Sequence, residues 1–155
     1  MSQQQTSAVA NGKVYKSAVI PAPLESVWSL VRSFNGLPSW SGGVIASEIE
    51  NNQSDNTIGC IRRLTIEGSD IPFRETLLAF DERNHSYSYD IVTSSLPITG
   101  YYATVSLKPV TDENKTFAEW STEFYTQPEH LENCVKIVEG IFSGGLESLK
   151  KKFAK

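Results

Sequence analysis

The sequence predicts an α+β domain: a curved, seven-stranded antiparallel sheet wrapped around a long C-terminal helix, with two short helices after the first strand. Three observations lead there. The block from Val44 to Tyr125 is rich in Val, Ile, Thr, Tyr and Phe and is cut at intervals by turn-forming clusters. After Gln127-Pro128, Leu131, Val135, Val138, Phe142, Leu146, Leu149 and Phe153 recur in steps of three and four, which lines one face of a helix. Strands gathered in one run and helices in others are the signature of segregated layers.

A first strand fits Lys13 to Ile20 and ends at Pro21. Pro23 suits the opening of a helix, because its missing N–H has no partner to lose in the first turn. Val27, Trp28, Leu30, Val31 and Phe34 follow at helical spacing, and Asn35-Gly36 should end that helix. Leu37 to Trp40 fits a second short helix, stopped by Gly42-Gly43. Breaks at 51–56, 68–70, 81–84, 94–100 and 111–114 then divide the chain into six strands, each expected to pair with the next. The last helix is expected from Glu129 to Lys152. Gly140, Gly144 and Gly145 are unfavourable within it, so they either make room for a neighbour or mark a local break.

The 155 residues suit one domain, assigned to 12–155, preceded by a polar tail at 1–11 that is expected to be disordered. No apolar run reaches the length of a membrane span, and the N-terminus lacks a basic start and apolar core, so a cytoplasmic protein is expected. A net charge of −4 argues against nucleic acid, and the one basic cluster, Lys150 to Lys152, falls at the end of a predicted helix, where it complements the helix dipole. Cys60 and Cys134 stand far apart, and neither His85 nor His130 has a ligating neighbour at useful spacing, so no metal is expected. No cofactor is implied either. The oligomeric state reads as monomer or homodimer.

Alternation sorts each strand into two faces. Cys60, Leu64 and Ile66 share a parity with Arg62; Phe73, Leu77 and Ala79 share one with Glu75; Ala103, Val105 and Leu107 share one with Tyr101. Tyr87, Tyr89, Ile91, Ala118, Trp120, Thr122 and Phe124 complete an inner lining. Arg62, Glu75 and Tyr101 are therefore polar groups on an apolar face. They either form a structural bridge with a core tyrosine or mark the polar points of a cavity that holds ligand. The turns at 51–56, 81–84 and 111–114 share one polar end of the sheet. Those at 68–72 and 94–100 share the other and carry Ile71, Pro72, Leu96, Pro97 and Ile98, as a cavity mouth would.

The segments "ESVWSLVRSFNGLPSW", "GCIRRL", "RETLLAFDERNHSYSY", "GYYATVSLKPV" and "FAEWSTEF" occur in an order that resembles the polyketide cyclase/dehydrase-like (SRPBCC) branch of the START/Bet v 1 helix-grip superfamily, from Val14 to Phe153. Plant lachrymatory-factor synthases are similar in the segments around "GCIR", "RETLLAFD" and "YYAT". That resemblance implies that their Arg, Glu and Tyr fall on Arg62, Glu75 and Tyr101. Abscisic-acid receptors are similar in "VWSLVRSF" and "YYATVSLKP". Here, however, the gate at 68–73 lacks Ser-Gly-Leu-Pro, the latch reads Ser94-Ser95-Leu96, and no lysine stands near Val44 to Ser47, so that hormone is not expected.

The implied function is binding of a small, largely apolar organic molecule, a lipid among the options. Two forms remain open. In a cofactor-independent cyclase, dehydratase, lyase or isomerase, Arg62 would polarise an oxygen or hold a carboxylate, Glu75 would shuttle a proton, and Tyr101 would donate one. In a carrier or sensor, the mouth loops would close over the ligand without turnover. Either way Trp40, Leu64, Phe73, Tyr87, Tyr89, Leu96, Pro97, Trp120 and Phe142 are expected to touch it.

Overall fold

The computed structural model describes residues 8–154. Strand β1 (Ala10–Ile20) is followed by α1 (Leu24–Val31), a 3-10 helix (Phe34–Ser39), and strands β2 (Val44–Ile49), β3 (Ile61–Ile66), β4 (Phe73–Asp81), β5 (Ser86–Asp90), β6 (Ile98–Val110) and β7 (Lys115–Thr126). Helix α2 (Leu131–Phe153) closes the chain after a 3-10 turn at Pro128–His130. The sheet order is β1-β7-β6-β5-β4-β3-β2, antiparallel throughout: the expected meander, with the first strand added beside the last.

Several boundaries move for physical reasons. Residues 1–7 of the expected tail lie outside the described residues, but Ala10 and Asn11, assigned to it, pair with Thr126 and Tyr125. A long β7 gives them a partner that their own polar composition does not reveal. The first helix ends at Val31, and Phe34 instead opens the 3-10 helix, which runs through Pro38. The Asp55 and Asn56 side chains accept from the backbone N–H groups of Asn35 and Phe34 at 2.9 and 2.8 Å, supplying the bonds that end α1 there. Strand β4 departs from its predicted parity. Its pairing with β5 shifts between Leu77 and Ala79, so the alternation flips after Leu77. Ala79, expected inside, is exposed, and Phe80 turns under α1 to stack on Trp28 at 5.7 Å.

Helix α2 is unbroken, runs along β1 and touches β7. Val138, Phe142, Leu146 and Leu149 are buried from the expected stripe, with Cys134 beside them. Gly145 is there for proximity: a Cβ on it would lie 2.7 Å from the Trp120 ring and 2.9 Å from Ser41 Oγ. Gly144 meets nothing. Gly145→Ala should therefore lower the unfolding free energy by about 1–3 kcal/mol through overpacking, while Gly144→Ala should raise it by about 1 kcal/mol through helix propensity alone. Urea unfolding of the two variants checks this. Equal effects would refute the close approach of α2 to Trp120.

Candidate functional site

The antiparallel register sets Arg62 on β3 opposite Glu75 on β4, both turned inward. Arg62 is 0 % exposed and Glu75 5 %. Arg62 Nε donates to Glu75 Oε1 at 2.8 Å, Nη2 lies 2.7 Å from the same oxygen, and Nη1 donates to the Phe34 carbonyl at 2.8 Å. The guanidinium is covered by the faces of Phe34 and Tyr89, 4.0 and 4.7 Å from their centroids. Each guanidinium nitrogen of Arg62 thus meets a protein oxygen. Glu75 is half committed, because Arg62 takes only one of its oxygens and Oε2 accepts no hydrogen bond among the described residues.

Tyr101 reaches the interior through a β-bulge. The pairing of β6 with β7 shifts between Thr99 and Tyr102, where Gly100 adopts φ +62°. A side chain at Gly100 would be strained there and would also press on the Tyr125 ring. Next along the interior, Trp120 Nε1 donates to the Tyr89 hydroxyl at 2.9 Å. The Tyr89 oxygen therefore acts as an acceptor toward Trp120, and its hydroxyl lies within hydrogen-bonding reach of Tyr101. Tyr89 and Tyr101 lie ring to ring at 6.1 Å.

These side chains border a cavity of about 40 Å³ between the sheet and α2. That is room for roughly two or three water molecules. Of the predicted residues, Leu64, Phe73, Glu75, Tyr89, Leu96, Tyr101 and Trp120 line it. Arg62 does not; it sits behind Glu75. Tyr87 edges against Phe34, and Phe142 lies behind Trp120, stacked on it at 4.4 Å. Trp40 packs on Trp120 at 5.6 Å, away from the cavity, with its buried indole N–H unpartnered. Pro97 is absent from the lining, and its carbonyl accepts from Thr126. Ser41, Val44, Ile66 and Ile141 also line the cavity; alternation places Ile66 on the inner face, whereas the sequence does not single out the other three. Ser41 stands beside Gly42-Gly43, which was the one available signal for it.

Those same four residues also border a groove of about 350 Å³ outside the cavity, between the β2–β3 edge and α2. They form the wall between the two spaces. The groove opens at the end of the sheet where the turn after β3 lies, and Arg74 pairs with Thr93 to hold that turn beside the 94–97 segment. A larger concavity of about 440 Å³, on the outer face of β1, β6 and β7, is bordered by none of the residues expected to touch ligand, although Thr122, placed in the inner lining by alternation, borders it.

Burial sets the protonation states. Desolvation lifts the Glu75 carboxyl above the usual carboxylate range; Arg62 holds it back, and the charge of Asp90 adds to the rise. Burial also raises the phenols of Tyr89 and Tyr101, so both are O–H donors at neutral pH. The cavity lining thus includes one carboxyl group with a raised proton affinity and two phenols that keep their protons. No group of metal-ligating side chains occurs among the described residues, and none of their helices is long and apolar enough to cross a membrane.

Comparison with known proteins agrees with the fold. The profile of a family described as polyketide cyclase / dehydrase and lipid transport matches residues 11–154. No curated protein sequence matches the chain. Among solved structures, it is similar to XoxI from Bacillus cereus, at 27% identity over 92% of this chain and 95% of that one, with a TM-score of 0.82. A protein of uncharacterised function from Bacillus thuringiensis is similar at 28% identity, over 92% and 98% of the two chains, with a TM-score of 0.81. Norcoclaurine synthase from Thalictrum flavum, solved with dopamine and hydroxybenzaldehyde, is similar at 17% identity over 97% and 92%, with a TM-score of 0.71, a likeness of fold alone.

Proposed function

Because the chain belongs to the polyketide cyclase / dehydrase and lipid transport family, we propose that it takes a small, largely apolar organic molecule into the space between sheet and α2 and rearranges it by proton transfer. One observation carries the chemical half of this reading. Arg62 grips a single oxygen of Glu75, and Glu75 lines the cavity together with the phenols of Tyr89 and Tyr101. A carboxylate anchored at one oxygen is positioned without losing basicity at the other, and its raised pKa brings it nearer the range where a proton can be both taken and returned. Glu75 would remove a proton from carbon or oxygen of the ligand. Tyr101 and Tyr89 would hydrogen-bond the oxygen on which negative charge collects, and Glu75 would return the proton elsewhere on the same molecule. Oxidation states do not change, so an isomerisation, cyclisation or elimination fits. Arg62 acts here as a positioning residue for Glu75, not as a group that touches the ligand.

The volume of about 40 Å³ requires that the space enlarge on binding. The wall of Ser41, Val44, Ile66 and Ile141 is where cavity and groove would join. The apolar rim also favours a second reading, a carrier that binds without turnover: Ile71, Ile137 and Ile141 are exposed at 45%, 38% and 36%.

Tyr101→Phe separates the two. It removes one hydroxyl and keeps the ring, so stability should change by less than about 1 kcal/mol. Under the enzymatic reading, turnover should fall on the order of 10²-fold while affinity for an unreactive apolar probe stays within threefold. Single-turnover assays by mass spectrometry on candidate substrates, paired with probe binding, make the measurement. Binding without any product in the unmodified protein would establish the carrier reading instead.

A further inference from the structure

The charge of the interior restricts what can be bound, an inference that rests on the internal-binding reading above. Glu75 is the one charged side chain on the cavity lining, and Glu67 the one on the groove that leads to it; neither lining contains Lys, Arg or His. Among the described residues, the cation that meets Glu75 is Arg62. Its three N–H contacts all end on protein oxygens, and Phe34 and Tyr89 cover its plane. Taken as a unit, Arg62 and Glu75 are neutral.

We propose that the ligand is an uncharged oxygen compound, a carbonyl, enol or phenol on an apolar body, and that carboxylates and ammonium compounds are excluded by the site. A carboxylate would pass Glu67 and come to rest beside Glu75 with no cation to meet it, in a space walled by Phe73, Leu64 and Trp120. Its only donors would be hydroxyls, and an unpaired buried charge is strongly disfavoured. An ammonium group would add a positive charge to a pair that already balances, since the Glu75 charge is met by Arg62. A neutral carbonyl or hydroxyl suits both kinds of group present. It accepts from Tyr89 and Tyr101, and its O–H or acidic C–H faces the free oxygen of Glu75.

The test uses the full chain and a neutral fluorescent reporter, N-phenyl-1-naphthylamine, displaced by four compounds with one tail: 2-octanone, 1-octanol, octanoate and octylammonium. At pH 8 the ketone and alcohol should displace the reporter at concentrations at least about tenfold lower than either ion. Between pH 8 and pH 6, the apparent affinity for octanoate should rise about tenfold per unit, following its neutral fraction above a carboxyl pKa of about 4–5. Octanone at each pH serves as the control for titration of Glu75 itself, which Arg62 faces from β3, Asp90 from β5 and the phenols of Tyr87, Tyr89 and Tyr101 from β5 and β6. Octanoate binding within threefold of octanone at pH 8, or a flat pH profile, would overturn the charge rule and leave internal binding standing. If neither the reporter nor any of the four compounds binds, internal binding itself fails, and the charge rule with it.

Discussion

Replacing Arg62 by methionine should lower the unfolding free energy by about 3–5 kcal/mol at neutral pH, the range for removing one partner of a buried ion pair. Glu75 would remain 5 % exposed with its only cationic partner gone. The loss should depend on pH, and the sign follows from linkage. Burial already raises the Glu75 pKa and Arg62 restrains that rise, so the variant's folded state should hold the proton to higher pH still. Between the ordinary carboxylate range and that raised value, the folded state binds more protons than the unfolded one. Stability there falls as pH rises, by up to about 1.4 kcal/mol per unit. The deficit of Arg62→Met should therefore be larger at pH 8 than at pH 5. Adding Glu75→Leu should remove the slope and restore much of the stability, since an apolar pair of similar volume can replace a buried bridge. Urea unfolding at both pH values decides the matter. A deficit below about 1 kcal/mol at pH 8 would mean that water in the cavity resolvates Glu75, and the pair would then be a wet feature of the site and not a brace of the fold.

The two sequence-based interpretations of Arg62, Glu75 and Tyr101 meet at one carboxyl group: Glu75 is paired with Arg62 and also lines the cavity beside Tyr101. Alternation was enough to turn Arg62, Glu75 and Tyr101 inward, because β3, the first half of β4 and β6 beyond Gly100 are regular strands with one buried face. It failed at Ala79 and Phe80, where an irregularity in pairing reverses the faces; no residue near Leu78 announces it, since a bulge depends on the partner strand. The role of Arg62 was illegible for a related reason. Its third contact is the Phe34 carbonyl, 28 positions away, and the position of that carbonyl follows from how the 3-10 helix packs under the sheet. Periodicity carries no information about such a contact. The same holds for Trp40. Its place before Gly42-Gly43 suggested contact with ligand, but its ring packs on Trp120.

Cavity size was the least legible feature. The inner-face residues were largely predicted, and a list of apolar side chains does not say whether they meet. Here Tyr89, Tyr101 and Trp120 lean across the interior, with Trp120 fixed by its bond to Tyr89 on one side and by Phe142 on the other. The remaining space is set by the packing of four rings, a property of three dimensions. Widening it therefore requires a backbone displacement of α2 or the β2–β3 edge, or a rotamer change in one of these rings.

Phe142 is the lever that tests this packing. It is 1 % exposed and lies nearly parallel to Trp120, at 4.4 Å and 12°. Phe142→Ala should cost about 3–5 kcal/mol, combining lost transfer free energy with the void left beneath α2. Part of that loss should be recoverable. With its backing removed, Trp120 can swing away from Tyr89, joining the void to the cavity it lines. A neutral apolar probe should then bind the variant more tightly than the parent, and at a hundred times its Kd it should restore about 2.7 kcal/mol. Ile137→Ala is the control: that residue is 38% exposed on the same helix and borders only the groove, so its replacement should shift stability by less than about 0.5 kcal/mol. Thermal unfolding of the three proteins with and without N-phenyl-1-naphthylamine makes the comparison. If Phe142→Ala is destabilised yet binds the probe no better than the parent, Trp120 stays in place without its stacking partner. The Tyr89 hydrogen bond, and not the aromatic stack, would then be what keeps the cavity small.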